Sequence, residues 1–379
     1  MSSPQVPDGR NSSTEFLISE EDEEFKTFYP EIQSLVTIIV PICFGIIALT
    51  GFFGNTLVIL VVVFNKKMHS TTNLLIVNLA LADLLFVVLC IPFTGTDYVM
   101  ENWPFGDTWC RIVHYLIVVT ALASIYTLVL MSVDRFLAVV HPIRSRILRS
   151  KKVIKISCVI VLWIVIVTVT APVTMLHGTV KYKPLGVTMV TCCFKNSNSF
   201  LSVADYQITF FAGSYLFPLM TISGLYLRMI TRLWRQGGDI RMSAESQRGR
   251  KRVTRLVVVL VITFALLWLP IQLILLLKAL DLYHATTKLK VVLQIVAQLL
   301  AYTSSCINPV LYAFLSDNFR KAFHKVSEYF TQVIYSTRCQ QMTSLAKNIR
   351  KNKSVRLEGL MFLYKFANIL TIYNFRQAH

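Results

Sequence analysis

Charge is scarce in this chain. Asp, Glu, Lys and Arg make up 15% of its 379 residues, where a soluble domain carries roughly a quarter. Hydrophobic residues reach 54% and the mean hydropathy is +0.57, so a water-soluble globule is excluded before any motif is read. Zinc-spaced cysteines are missing among the eight, and no two histidines stand one turn apart. His114, His141 and His177 sit singly at the ends of apolar stretches, and no connection is long enough for a catalytic domain, so enzyme chemistry is not expected. The repeated halves or interrupted helix pairs of a transporter or channel are not visible. Residues 1–34 lack a basic region followed by an apolar core, so no cleavable signal peptide is expected and the first apolar stretch should act as its own insertion signal.

Long apolar runs are what the chain has instead. A bilayer-spanning helix needs about 20 mostly apolar residues. Seven stretches qualify, at about 35–64, 74–99, 110–140, 153–176, 205–232, 253–279 and 289–315. The expected organisation is an N-terminal segment over 1–34, a seven-helix membrane domain over 35–315, a short amphipathic eighth helix over 316–330 and a tail over 331–379. This makes an all-α membrane protein.

Basic residues outnumber acidic ones, 38 to 20, but their placement argues against a nucleic-acid partner. They gather after the first, third and fifth stretches and in the tail, while the N-terminus carries Glu20-Glu-Asp-Glu-Glu24. With Lys and Arg kept on the cytoplasmic side, the N-terminus is expected outside and the C-terminus inside a plasma membrane. Asn11, in Asn11-Ser-Ser13, then becomes an outer glycosylation acceptor, whereas Asn352 in a second sequon stays bare. On the oxidising side, Cys110 faces two bridging candidates, Cys192 and Cys193, and the sequence leaves the choice open. Cys339 in the tail is a candidate palmitoylation site. The apolar segment beyond about residue 355 is short for a span and suits equally an interfacial helix on the bilayer's inner leaflet and a tail from alternative splicing with no settled function.

Polar residues inside the spans carry the functional signal. Asp83 lies mid-span in Asn73-Leu-Leu-Ile-Val-Asn-Leu-Ala-Leu-Ala-Asp83. A carboxylate there costs at least a few kcal/mol, so it must face a protein interior. Span three ends Met131-Ser-Val-Asp134-Arg135-Phe136-Leu-Ala-Val-Val-His141-Pro142. Span five has Pro218 and Tyr226, span six reads Phe264-Ala-Leu-Leu-Trp268-Leu-Pro270, and span seven ends Asn308-Pro309-Val-Leu-Tyr312. Prolines in five of the spans each remove a helix hydrogen bond and permit a hinge. Singly these are modest signals; together, in order and one per span, they are specific. Over about residues 35–330 the chain resembles the rhodopsin-like (class A) G-protein-coupled receptors.

The resemblance implies roles. Asp134 and Arg135 form an ion pair that opens when a G protein enters. Asp83, Ser124, Ser304 and Asn308 would line a pocket for an allosteric sodium ion, the only cofactor implied. Ile125, Pro218 and Phe264 match the family's connector triad below Trp268, while Pro270 and Pro309 supply hinges. Tyr226 and Tyr312 would swing inward on activation, and a hydrogen bond from Arg135 to Thr254 would replace an ionic latch to span six. Arrestin and receptor kinases follow as further partners.

Two positions exclude subclasses. Amine receptors use an aspartate seven residues after the span-three cysteine, here Ile117, and opsins a lysine seven residues before the span-seven proline, here Tyr302. A peptide ligand suits the remaining features. Asp97 and Glu101 stand at the outer end of span two, Asp281 follows span six, and Ile117, Trp268, Gln272, Gln298 and Tyr302 lie deeper, the last three suited to a terminal amide. The resemblance is strongest to the galanin and allatostatin-A receptor group. It rests on Trp103-Pro-Phe-Gly106, on the Met131–Pro142 segment and on Trp268-Leu-Pro-Ile-Gln-Leu-Ile-Leu-Leu-Leu-Lys-Ala-Leu280, which looks most like insect allatostatin-A receptors. It implies a short amidated peptide ending in Phe-Gly-Leu and signalling through inhibitory G proteins. Galanin-, somatostatin- and opioid-like ligands are the alternatives.

Overall fold

In a computed structural model of the chain, residues 12–65, 68, 70–100, 102–141, 152–182, 189–195, 202–235, 244–284 and 287–351 are described. Side chains are described from Ser34 onward in the first helix and from Arg255 onward in the helix of span six. Asn11, Glu101 and the apolar segment beyond residue 355 lie outside the described residues, as do the side chains of Thr254 and Cys339.

Eleven helices and one hairpin are described. They are α1 (Ser12–Phe64), α2 (Thr71–Leu89), α3 (Ile91–Val99), α4 (Gly106–Val140), α5 (Lys152–Thr170), α6 (Val173–Leu176), the antiparallel strands β1 (His177–Tyr182) and β2 (Met189–Phe194), α7 (Val203–Phe211), α8 (Phe217–Arg235), α9 (Ala244–Ala279), α10 (Lys288–Leu315) and α11 (Asp317–Lys351). A π-helical turn, Ala212–Leu216, joins α7 to α8. Seven helices are long and apolar enough to cross a membrane, over Ser34–Phe64, Thr72–Val99, Gly106–Val140, Ile156–Leu176, Val203–Arg232, Arg255–Ala279 and Lys288–Leu315. Each matches an expected stretch to within a few residues. α1 begins well inside the segment expected to precede the bundle, and α11 runs past the 316–330 expected of an eighth helix. The chain divides into two compact units at Lys321 and Ala322, and all seven spans lie in the first.

Local sequence explains where the helices start and bend. Ser70, Ser202 and Thr287 cap α2, α7 and α10, each accepting a backbone N–H three residues on. The α2–α3 break falls at Cys90, two residues before Pro92. The prolines are more informative, because each leaves a carbonyl four residues upstream without its helical donor. Pro309 frees the Ser305 carbonyl, and Asn55 supplies the missing donor from α1 at 2.8 Å while also donating to the Gly51 carbonyl at 2.9 Å. Gly54, one residue earlier, lets α1 come this close: a Cβ there would lie 3.0 Å from Pro309 Cβ and Cγ. Just past α5, Pro172 removes the donor for the Thr168 carbonyl. Ala171 N–H takes it over at 3.3 Å, releasing the Val167 carbonyl to accept Tyr115 Oη–H at 2.9 Å.

The π-turn follows the same logic. Phe217 N–H donates to the Ala212 carbonyl, five residues back, and Pro218 has no N–H to offer. The Gly213 carbonyl is left without a backbone donor, and Tyr126 of α4 donates to it at 3.0 Å. From α9, Gln272 Nε2 donates to Ser214 Oγ at 2.8 Å, and Tyr215 Oη returns a hydrogen bond to the Ala265 carbonyl at 2.9 Å. One extra residue in a helical turn is thus tied to two neighbouring helices.

Candidate functional site

The polar side chains inside the bundle form a column running from the disulfide end to the Arg135 end. At the disulfide end, Cys110 bonds to Cys192, which settles the alternative left open by the sequence; Cys193 is a free, half-buried thiol. Alternation along β2 explains the choice, since neighbouring residues in a strand face opposite ways. Cys192 packs with Cys110 and Trp103, with Phe93 and Trp109 against them. Cys193 points the other way, near Asp97 and Lys195.

Below the hairpin, Tyr98 Oη donates to Gln298 Oε1 at 2.9 Å. Tyr302 is buried against Phe44 and Phe86, with ring centroids 5.2 and 4.8 Å apart, and Ile117, Trp268 and Ile271 pack on the same cluster. Asp97 is exposed. Gln298, Tyr302, Ile117 and Trp268 therefore come together as the sequence suggested. Gln272 does not join them at an open surface. It is fully buried, turned towards Ser214, with no partner for its carbonyl oxygen among the described residues. Asp281, in left-handed backbone at φ 59°, is exposed and lies 3.3 Å from His284.

Half-way along the bundle lies a cavity of about 40 Å³, lined by Asp83, Ser124, Ile125, Phe264, Trp268, Ser304, Asn308 and apolar neighbours. Ser124 Oγ donates to Asp83 Oδ1 and Asn308 Nδ2 to Asp83 Oδ2, each at 2.7 Å. The buried carboxylate is thus satisfied on both oxygens by two different spans. Ser304 lines the cavity without touching Asp83: its hydroxyl donates to the Ala301 carbonyl at 2.6 Å and accepts Trp268 Nε1–H at 3.0 Å. Ile125 and Phe264 are buried here, Trp268 lies 5.9 Å from Phe264 ring to ring, and Pro218 is buried in α8 outside the cavity wall. Oxygen donors and volume suit a small hard cation.

At the other end, Arg135 is 6% exposed and its guanidinium grips Asp134 and Thr72 Oγ1; Thr72 Oγ1 also donates to Asp134 at 3.3 Å. Tyr226 lies beside Ser132 and Arg135. Tyr312 is fully buried and stacked on Phe319 at 5.3 Å, its hydroxyl unpartnered among the described residues. The bundle thus holds a clasped arginine at one end, a carboxylate cavity at mid-depth and an aromatic cluster around Tyr302 towards the other end.

A family profile described as 7 transmembrane receptor (rhodopsin family) matches residues 54–312. The chain belongs to the rhodopsin family of seven-transmembrane receptors. It is therefore a multi-pass membrane protein, and the family is one of receptors, not enzymes. Among curated relatives it is 55% identical to the allatostatin-A receptor of Bombyx mori over 297 residues, 78% of this chain and 81% of that one. It is 34% identical to a galanin-like G-protein coupled receptor of Caenorhabditis elegans over 342 residues, 82% and 79% of the two chains. Galanin receptor type 1 of Homo sapiens is 35% identical over 299 residues, 78% and 82%.

Sequence reasoning missed several links between the helices of this receptor. Trp163 Nε1 donates to Asn78 Oδ1 at 2.9 Å and Asn78 Nδ2 to Thr127 Oγ1 at 2.7 Å, which ties α5, α2 and α4 together. A tryptophan and an asparagine within apolar spans were the available signal, since each must find a partner. Tyr126 and the π-turn had no such signal. The stack of His114 on His177, centroids 4.1 Å apart, joins residues that the sequence presented as isolated.

Proposed function

We propose that this chain is a receptor for a short amidated neuropeptide of the allatostatin-A type, and that it activates heterotrimeric G proteins of the inhibitory class. The single observation that carries the signalling half is the clasp of Arg135 by Asp134 and Thr72, a buried cation held ready at the end opposite the disulfide. The ligand class is supported by the 55% identity to a receptor named for allatostatin-A and by the aromatic and amide groups of Tyr98, Gln298 and Tyr302 beneath the hairpin.

In this reading the N-terminus and the hairpin face outward, and the peptide's terminal amide reaches Gln298 and Tyr302 while Asp97 and Glu101 meet its basic groups. Asp83 and Ser124 supply oxygens to a sodium ion, with Asn308 and Ser304 orienting the cavity wall; the ion offsets the buried carboxylate when bound. Trp268, anchored on Ser304, is the element that both ends bias. Arg135 leaves Asp134 when the G protein enters; arrestin and receptor kinases act at the same face, and basic residues near it meet anionic lipid.

The test pairs two measurements on the same membranes, radioligand binding of a Phe-Gly-Leu-amide peptide and nucleotide exchange on added inhibitory G protein. Wild type binds and drives exchange. Arg135→Ala binds but drives none, apart from the affinity normally gained from the G protein. Wild-type exchange by Arg135→Ala refutes the role of the arginine, and failure of the wild type to bind such peptides refutes the ligand class.

A further inference from the structure

The disulfide is not the only tie between the hairpin and α4. Asp107 stands one helical turn before Cys110, on the same face. Its Oδ1 accepts the Thr179 backbone N–H at 2.8 Å and the Thr179 hydroxyl at 3.2 Å, with Lys195 Nζ 4.0 Å away. Its Oδ2 accepts Arg111 Nε–H at 2.8 Å, and Arg111 in turn donates to the Thr174 carbonyl at 3.4 Å.

Thr179 pairs directly with Cys192 in the strand register. The covalent link and the carboxylate link therefore hold the same rung of the hairpin, one from each strand. Among the described residues β1 pairs only with β2, so the carboxylate caps an N–H on the hairpin's open edge. Gly178 makes this approach feasible. A Cβ there would lie 2.8 Å from Asp107 Oδ1 and 3.1 Å from Lys195 Cδ, so any other residue pushes the carboxylate away.

The two links differ in how they yield. The disulfide cannot open without chemistry. The carboxylate is 40% exposed, so water competes for it and the contact breaks and reforms. The next residue of β2, Cys193, lies near Asp97 of α3, so any tilt of this rung moves a side chain beside an acid expected to meet the peptide.

We propose that Asp107 is a positioning residue, a reversible latch that holds the β1–β2 hairpin closed over the peptide's path and thereby sets how long a bound peptide stays. This rests on the reading of the chain as a peptide receptor. The disulfide serves as the hinge about which the hairpin moves, and charge-assisted hydrogen bonds to Thr179 keep it shut.

The experiment uses the full chain in lipid nanodiscs, with two readouts. One is amide hydrogen exchange over residues 177–182 without ligand. The other is dissociation and association of a fluorescent peptide ending in Phe-Gly-Leu-amide. With a half-exposed contact, Asp107→Ala is expected to speed exchange at Thr179 and peptide dissociation about tenfold each, without slowing association. Gly178→Ala, which leaves the carboxylate in the chain but displaces it, is expected to do the same. Asp107→Asn keeps an acceptor oxygen and is expected to fall between. A merely structural loss would instead slow association or reduce the number of binding sites. Unchanged Thr179 exchange in both Asp107→Ala and Gly178→Ala overturns the latch, as does faster exchange with unchanged peptide dissociation. If the wild type binds no such peptide, the ligand reading fails, and the exchange readout alone then decides whether Asp107 holds the hairpin.

Discussion

Replacing Asp83 by asparagine removes one negative charge from the bundle while changing almost no volume. In the structure each carboxylate oxygen accepts one hydrogen bond, from Ser124 and from Asn308, both at 2.7 Å. An asparagine keeps one acceptor; its NH₂ can donate to the Ser124 hydroxyl, which turns to accept it. One charge-assisted bond weakens, by about 1.5–3 kcal/mol, but the cost of burying a charge disappears too, so the variant folds and reaches the surface. The cation site proposed at this cavity would not survive, because Ser124, Ser304 and Asn308 are neutral. If sodium binds only the inactive arrangement, raising it to ten times its own Kd lowers agonist affinity about elevenfold, or ~1.4 kcal/mol. Asp83→Asn should show a ratio near one. The assay is displacement of a labelled antagonist by the amidated peptide, with sodium replaced by a bulky organic cation at constant ionic strength so that screening does not change. An elevenfold shift persisting in Asp83→Asn refutes the assignment of the cavity.

Cys193→Ser should bind peptide like the wild type, whereas Cys192→Ser should lose binding or surface expression, since only Cys192 pairs with Cys110; equal losses in the two variants would contradict the strand alternation. Gly54→Val should destabilise the receptor by about 1–3 kcal/mol through overpacking against Pro309, read as a lower melting temperature in detergent; an unchanged melt refutes the close α1–α10 approach. Burial pushes the His177 imidazole down from its ordinary 6.5 to about 4. The unfolded chain then binds the extra proton between those values, so stability is full above about pH 6.5 and declines as pH falls towards 4. His177→Phe should flatten that slope in thermal melts taken across the window, and an identical slope would exclude His177 as its source.

The spans were legible in the sequence because a bilayer demands about 20 apolar residues whatever their neighbours do. The interior placement of Asp83 was legible for a similar reason: a charge at mid-span has few alternatives, and the structure gives it partners on α4 and α10. Rotational phase was not legible. Gln272 reads as a pocket amide, yet the π-turn brings Ser214 opposite it and closes it off. Ser304 reads as an ion ligand, yet its hydroxyl is held by Trp268 and Ala301. Both outcomes depend on which way a neighbouring helix is turned, by fractions of a residue that a run of apolar letters does not record. The choice of Cys192 over Cys193 likewise needed the register of β2 against β1.

The turn at Ala212–Leu216 makes the fifth span a helix with a spare residue. A residue advances about 100° around an α-helix, so one insertion rotates everything on one side of it relative to the other. The half that meets Gln272 and the half that carries Tyr226 therefore need not share a common stripe, and each can be tuned without turning the other. Deleting a single residue from 212–216 would let the helix relax to regular winding. It would then swing one half by roughly a quarter-turn, either taking Tyr226 from beside Arg135 or taking Ser214 from Gln272. The helix works as two coupled rods with an adjustable collar, and the length of the collar, not its chemistry, sets their alignment.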